Sequence, residues 1–218
     1  LIDEAREGVL GDVMATSLAD DRVRLYQADR HLALRRERTR YDVIIENPGH
    51  SAIYRSAARF EEAHYRWIAQ RLADGGLYCQ RFTFADYGPA VLRSVSETLQ
   101  REFGYVTAFD TAPGEVLFVA ARSIEDVFTA GFLERVSAPQ TRRSLAKVGW
   151  DWSVVMNLSR FEPAQLAGVS SFGRLNAWQG TGVFRLTGEM MRWGQKWEAV
   201  RATLADNTQR LMESYAEE

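Results

Sequence analysis

Apolar residues along the chain fall into two spacings, one helical and one alternating. Over residues 3–18, Val9, Leu10, Val13 and Met14 share a helical face behind acids in the first turn, which predicts an amphipathic helix. Asp20-Asp21 punctuates, and Val23, Leu25 and Tyr26 form a short β-prone run that ends near Asp29. A short, very basic helix is expected over 30–38, with Arg30, Arg35, Arg36 and Arg38. Tyr41-Asp-Val-Ile-Ile-Glu46 is the clearest buried strand, and Asn47-Pro-Gly-His50 stops it. A long helix follows from about Arg55 to Ala73, with Phe60, Ala63, Tyr65, Trp67, Ile68 and Leu72 as its core face, and Asp74-Gly-Gly76 reads as its cap and turn. Leu77–Phe84 is the next strand, 89–103 the next helix, and Tyr105–Phe109 and Glu115–Ala120 are two successive strands.

Strand–helix–strand alternation predicts parallel pairing, and two strands in succession predict an antiparallel pair at the far end. After Ser123 the pattern changes to short helical pieces over 124–169. A Gly- and Ser-rich stretch follows over 170–188, with a short strand at Val183–Leu186, and a last helix spans about Gln195 to Tyr215. The expected organisation is an α/β domain over 1–122 with a mainly helical extension over 123–218. In open parallel sheets ligands bind beyond the carboxyl ends of the strands. The positions to inspect are therefore Asp29, Glu46 to His50, and Gln80 to Phe84.

Composition narrows the classes. With 218 residues, 46% hydrophobic and 26% charged, the chain has material for a real core. A net charge of -2 gives no global attraction for nucleic acid or an anionic membrane. The single cysteine, Cys79, excludes a disulfide framework and a multi-cysteine zinc site. His31 and His64 stand far apart, and no metal-ligand spacing emerges. No window approaches a membrane span of about 18–20 apolar residues, and no basic-then-apolar signal-peptide pattern is read in this sequence. The chain opens on Leu-Ile-Asp-Glu without methionine, which suggests processing or a longer polypeptide.

The strand ends carry an ordered set of motifs. Tyr26-Gln-Ala-Asp29 ends one strand in an acid, and Tyr41-Asp-Val-Ile-Ile-Glu-Asn-Pro48 comes next. Phe60 follows Asn47 by 13 residues, then Tyr65, and Asp74-Gly-Gly-Leu-Tyr-Cys-Gln80 closes the series. In order and spacing this resembles the later part of the spermidine synthase family, the polyamine aminopropyltransferases. It is most similar to the bacterial branch often fused to membrane segments. The resemblance covers about residues 1–122; beyond them, Leu175-Asn176 and Phe184-Arg185 are similar to the tail of that branch. It implies a partial Rossmann-like sheet of the class I methyltransferase type. It also implies a decarboxylated S-adenosylmethionine co-substrate, a polyamine acceptor and no metal. A cytoplasmic location is expected, tethered to the membrane if the chain belongs to a fusion, and homo-oligomerisation is open by analogy.

Residue by residue, the resemblance places Asp29 at the acid that contacts the adenine; taken alone an Asp there reads as a helix N-cap, and with the resemblance the nucleoside role is favoured. Leu1 stands near the place of the acid that grips the ribose, with Asp3 as a shifted substitute, although Asp3 is more cheaply read as an early helical acid. Asn47 takes the place of the catalytic carboxylate, yet an amide cannot accept a proton from an ammonium. His50 is the best available base in the loop, since an imidazole titrates near neutral pH. Glu46 is adjacent to Asn47 but alternates to the other side of a strand. Gln80 matches a glutamine near the amine site, or is a satisfied polar residue at a strand end. The family's glycine-rich turn is expected before residue 1, and its acceptor-binding tyrosine is replaced by Thr111-Ala-Pro-Gly114.

Two alternatives stay open. Asn47-Pro48 is similar to part of the Asn-Pro-Pro-aromatic motif of amine methyltransferases, with Gly49 and His50 departing from it. Loss of the carboxylate at 47 also fits a noncatalytic binding or scaffold module. The Arg30–Arg40 run reads best as a solvated helix face. The Trp-rich segments Trp150-Asp-Trp152 and Met190–Trp197 read best as packing. Cys79 reads as an inert thiol in an apolar strand.

Overall fold

The computed structural model describes residues 20–24, 38–48, 58–84 and, with short interruptions, 87–175, together with residue 202. The chain divides into two compact units, Leu1–Glu37 and Arg38–Glu218. In the first unit the described residues form a turn. Asp20 accepts hydrogen bonds from the Arg22 backbone at 2.9 Å and from Arg22 Nε at 2.8 Å. The side-chain hydrogen bond is the larger cause that holds the Asp20 carboxyl down at about 2. The helices expected over 3–18, 30–38 and about 195–215, and the strand at Val183–Leu186, fall wholly or almost wholly outside the described residues, as does most of the Val23–Tyr26 run.

The second unit is mixed α/β. Strand β1 is Tyr41–Glu46, a short 3-10 turn covers Ala58–Phe60, helix α1 is Glu62–Arg71, and β2 is Leu72–Thr83. Helix α2 is Pro89–Glu102, followed by β3 at Tyr105–Ala112 and β4 at Glu115–Ala121. Short helices α3 (Ile124–Val127), α4 (Phe132–Ser137), α5 (Pro139–Lys147) and α6 (Trp152–Met156) come next. Strand β5 is Arg160–Phe161, and a 3-10 turn spans Pro163–Leu166. Among the described residues the sheet has five strands in the order β1-β2-β4-β3-β5. β1 and β2 are parallel, and the other pairs are antiparallel. The parallel unit and the antiparallel end are as the strand–helix rhythm predicts. β5 was expected to be helical; two residues are too short to show a period, and only pairing with β3 defines them.

Two further differences have local causes. The helix expected to reach Ala73 ends at Arg71, and pairing jumps from Tyr41↔Leu72 to Val43↔Leu77. The expected Asp74-Gly-Gly turn therefore sits inside β2, where Gly75 takes φ of 73°, a left-handed conformation suited to glycine. On α1, Ala63 faces solvent, while His64 is buried beside Tyr65 and Ile68. At the α2–β3 turn, a Cβ on Gly104 would lie 2.1 Å from the Arg122 carbonyl oxygen, so glycine alone fits.

Strand alternation gives the sheet two unlike faces. Tyr78, Phe82, Phe118, Val106 and Ala108 are buried on the face carrying α1 and α2. The rings of Phe60 and Phe82 meet edge-on at 5.3 Å, and those of Tyr78 and Phe103 stack at 5.6 Å. On the other face Val43 is 49% exposed and Ile45 is 74% exposed. Among the described residues, no helix is long and apolar enough to cross a membrane.

Candidate functional site

The carboxyl ends of β1 and β2 stand side by side, with Glu46 in register with Gln80. Both side chains point to the helix-covered face and are buried. Glu46 Oε2 accepts a hydrogen bond from Tyr78 Oη at 2.6 Å and lies 2.8 Å from His64 Nε2. A carboxylate only accepts, so His64 carries its proton on Nε2 and donates it. Burial alone would raise the Glu46 carboxyl. The hydrogen bonds from His64 and Tyr78, with the positive charge of Arg59, outweigh it and hold the carboxyl below its ordinary range. Glu46 is thus an anion at neutral pH, and among the described residues its Oε1 takes no hydrogen bond.

A second polar chain lies alongside. Tyr65 Oη donates to Gln80 Oε1 at 2.7 Å, and Gln80 Nε2 donates to the Arg59 carbonyl at 3.1 Å. Both ends of the Gln80 amide are thereby satisfied in a fully buried position. Burial is the main reason that the Tyr65 and Tyr78 phenols are pushed well above their usual value, and the nearby Glu46 charge adds to it. The two phenols are fixed donors over the physiological range.

Asn47 lies on the opposite side of the strand from Glu46 and is exposed. Its Oδ1 accepts a hydrogen bond from Arg81 Nη1 at 3.2 Å. Arg81 also makes a two-pronged ion pair with Glu115, through Nε at 2.7 Å and through Nη2. The structure therefore separates Asn47 from Gln80 rather than bringing them together. Asp3, Asp29 and His50 lie outside the described residues.

Glu46, His64 and Tyr78 form a constellation that sequence reasoning did not assemble. Alternation along β1 was the available signal for Glu46, since it places residues 44 and 46 on one face and 43, 45 and 47 on the other. His64 gave no comparable signal, because its partner comes from a strand 18 residues earlier.

No family model matches the chain, and no curated protein matches it. One solved structure similar to it is a probable spermidine synthase from Corynebacterium glutamicum ATCC 13032. The identity is 14% and the TM-score 0.47, over 75% of this chain and 60% of that chain. The match thus spans less than two thirds of that protein's length.

Proposed function

We propose that the chain supplies the amine-acceptor side of a spermidine synthase-like transferase, which moves an aminopropyl group from decarboxylated S-adenosylmethionine to a polyamine nitrogen. The observation that carries this reading is Glu46, a buried carboxylate held ionised at the carboxyl end of β1, within the Tyr41–Pro48 motif. The donor is a sulfonium cation and the acceptor a polyamine, so both suit an anionic carboxylate. The donor supplies an electrophilic methylene next to sulfur. Attack by the amine forms the C–N bond, breaks the C–S bond and releases methylthioadenosine.

The chain's own residues have three tasks in this reading. Glu46 attracts the acceptor ammonium and takes the proton that the amine must lose, a role that the Asn47 amide cannot fill. His64 and Tyr78 hold Oε2, which leaves Oε1 as the proton acceptor. Asp29 and Asp3 hold the nucleoside, and His50 is a competing candidate for the base. Gln80, fully enclosed, acts by fixing Tyr65 and the Arg59 backbone rather than by touching substrate.

A noncatalytic binding module is the second reading, favoured by the engagement of Asn47 Oδ1 with Arg81. The same bond weighs against an amine methyltransferase, in which that oxygen would accept from the target amine. Calorimetric titration of the longest natural polypeptide containing this chain separates the three. Tighter binding of decarboxylated S-adenosylmethionine than of S-adenosylmethionine is expected; the reverse preference moves the reading to methylation. Binding of neither donor leaves the module reading. If turnover is found, Glu46→Gln should lower kcat by about a hundredfold or more, the usual scale for a lost general base. An unchanged kcat in that variant, with a loss in His50→Ala, would transfer the role to His50.

A further inference from the structure

The sheet face opposite the Glu46 cluster holds a cavity of about 400 Å³. Phe109 of β3 and Leu117 and Val119 of β4 form its floor, and Phe128, Phe132 and Val155 form its walls. Its size falls in the usual range of small-molecule sites, and among the described residues its lining is apolar apart from one side chain. Five of the six residues named, all but Val119, are only half-buried. Helices α3, α4 and α5, among those that follow β4, bury no residue of their own. These elements enclose apolar surface without sealing it, and that surface remains available to be removed from water.

The exception in the lining is Arg160, whose side chain is 44% exposed. Its guanidinium carbon lies over the Phe128 ring, 5.0 Å from the centroid, which holds the cation beside the cavity. Its Nε lies 3.4 Å from Glu162, whose carboxylate already accepts from Tyr105 Oη at 2.7 Å. Beyond this ion pair, the Arg160 side chain makes no hydrogen bond among the described residues, so its remaining N–H donors stand beside an apolar hollow. A guanidinium of this kind matches a carboxylate or sulfonate in geometry and charge.

We propose that this cavity is a binding site for an apolar carboxylate, with an aryl or alkyl body packed against the three phenylalanines and its anionic head paired with Arg160. The site is independent of the transferase reading and lies away from the Glu46 cluster on the other side of the sheet.

The test uses a fluorescent stand-in, 1-anilinonaphthalene-8-sulfonate, and its neutral counterpart N-phenyl-1-naphthylamine, titrated into the folded full chain. Both should bind saturably, one per chain. Dodecanoate and 2-naphthoate should displace them, and whichever does so at lower concentration identifies the body as alkyl or aryl. Arg160→Gln should weaken the sulfonate roughly fivefold, the scale of one partly exposed ion pair. It should leave the neutral probe unchanged. Leu117→Trp should fill the floor and abolish both, and Val155→Trp fills the hollow from the opposite wall if the first variant fails to fold. Circular dichroism checks each variant for folding. Non-saturable binding, binding that survives a folded cavity-filling variant, equal effects of Arg160→Gln on both probes, or displacement by neither carboxylate would overturn the proposal.

Discussion

Leu117 and Phe118 are neighbours on β4, yet they belong to different environments. Phe118 is 1% exposed in a face built with Phe82, Tyr78 and the helices α1 and α2, where its ring lies 6.2 Å from that of Phe82. Leu117 faces a hollow whose walls stay half-exposed. The same strands build both faces, so backbone pairing cannot account for the difference. What differs is the cover. Two helices of 10 and 14 residues seal one face, whereas pieces of 4, 6, 9 and 5 residues lie along the later chain. Long amphipathic helices present a continuous stripe and exclude solvent; helices of one or two turns leave gaps. Stability is concentrated on the first face, and free apolar volume on the second.

The sharpest way to break this comparison is a pair of truncations. Phe118→Ala should cost about 3–5 kcal/mol, the range for a buried aromatic. Leu117→Ala should cost about 1 kcal/mol or less, since a half-exposed side chain loses little burial. Urea denaturation of both variants checks this, and similar values would mean that the faces are equally packed. Next in size, Tyr65→Phe should cost about 1–3 kcal/mol, because Gln80 Oε1 is left buried without its donor.

Acid sharpens the contrast further. The folded-state pKa of Glu46 is depressed, so its stabilisation is present above the unfolded value of about 4.3 and is lost as pH falls through the folded value. Glu46→Gln should therefore be less stable than the parent at neutral pH, and the gap should narrow below about pH 4.3. Denaturation midpoints at several pH values read this directly; a constant gap would mean that the carboxylate is not held as an anion. The smallest effect is expected at Arg81, whose side chain is 42% exposed in its pair with Glu115. Arg81→Ala should change stability by about 1 kcal/mol or less.

The fold was more legible than the site. β1 was read at its observed bounds because Tyr41–Glu46 combines β-branched residues with a Pro-Gly stop. The expected helix over 89–103 matches α2 to within a residue because its apolar positions recur at helical spacing. β5 left no local trace, since a two-residue strand is defined by its partner. For the site, motif order led to Asn47 and Gln80, which the structure places on opposite sides of the sheet. The resemblance aligned the carboxylate position with 47, where Asn47 stands on the exposed side of β1, while the neighbouring Glu46 points to the helix-covered face. No one-dimensional signal joins Glu46 to His64 and Tyr78, since their meeting depends on how α1 lies across the strands. The readings at Asp3, Asp29 and His50 fall on residues outside those described.

Gly104 has a consequence for how freely this sequence can drift. The Arg122 carbonyl occupies the space where any side chain at 104 would begin, one residue before Tyr105 pairs with Ala121. A gain of even one methyl group there would push on the start of the β3–β4 ladder and, beyond it, on the Ser123 cap of α3. Surface positions such as Arg81 can wander through many residue types at little cost. Position 104 acts as a fixed point, and a distant homologue that keeps this hairpin is expected to keep glycine there even where Glu46, His64 and Tyr78 have all been replaced.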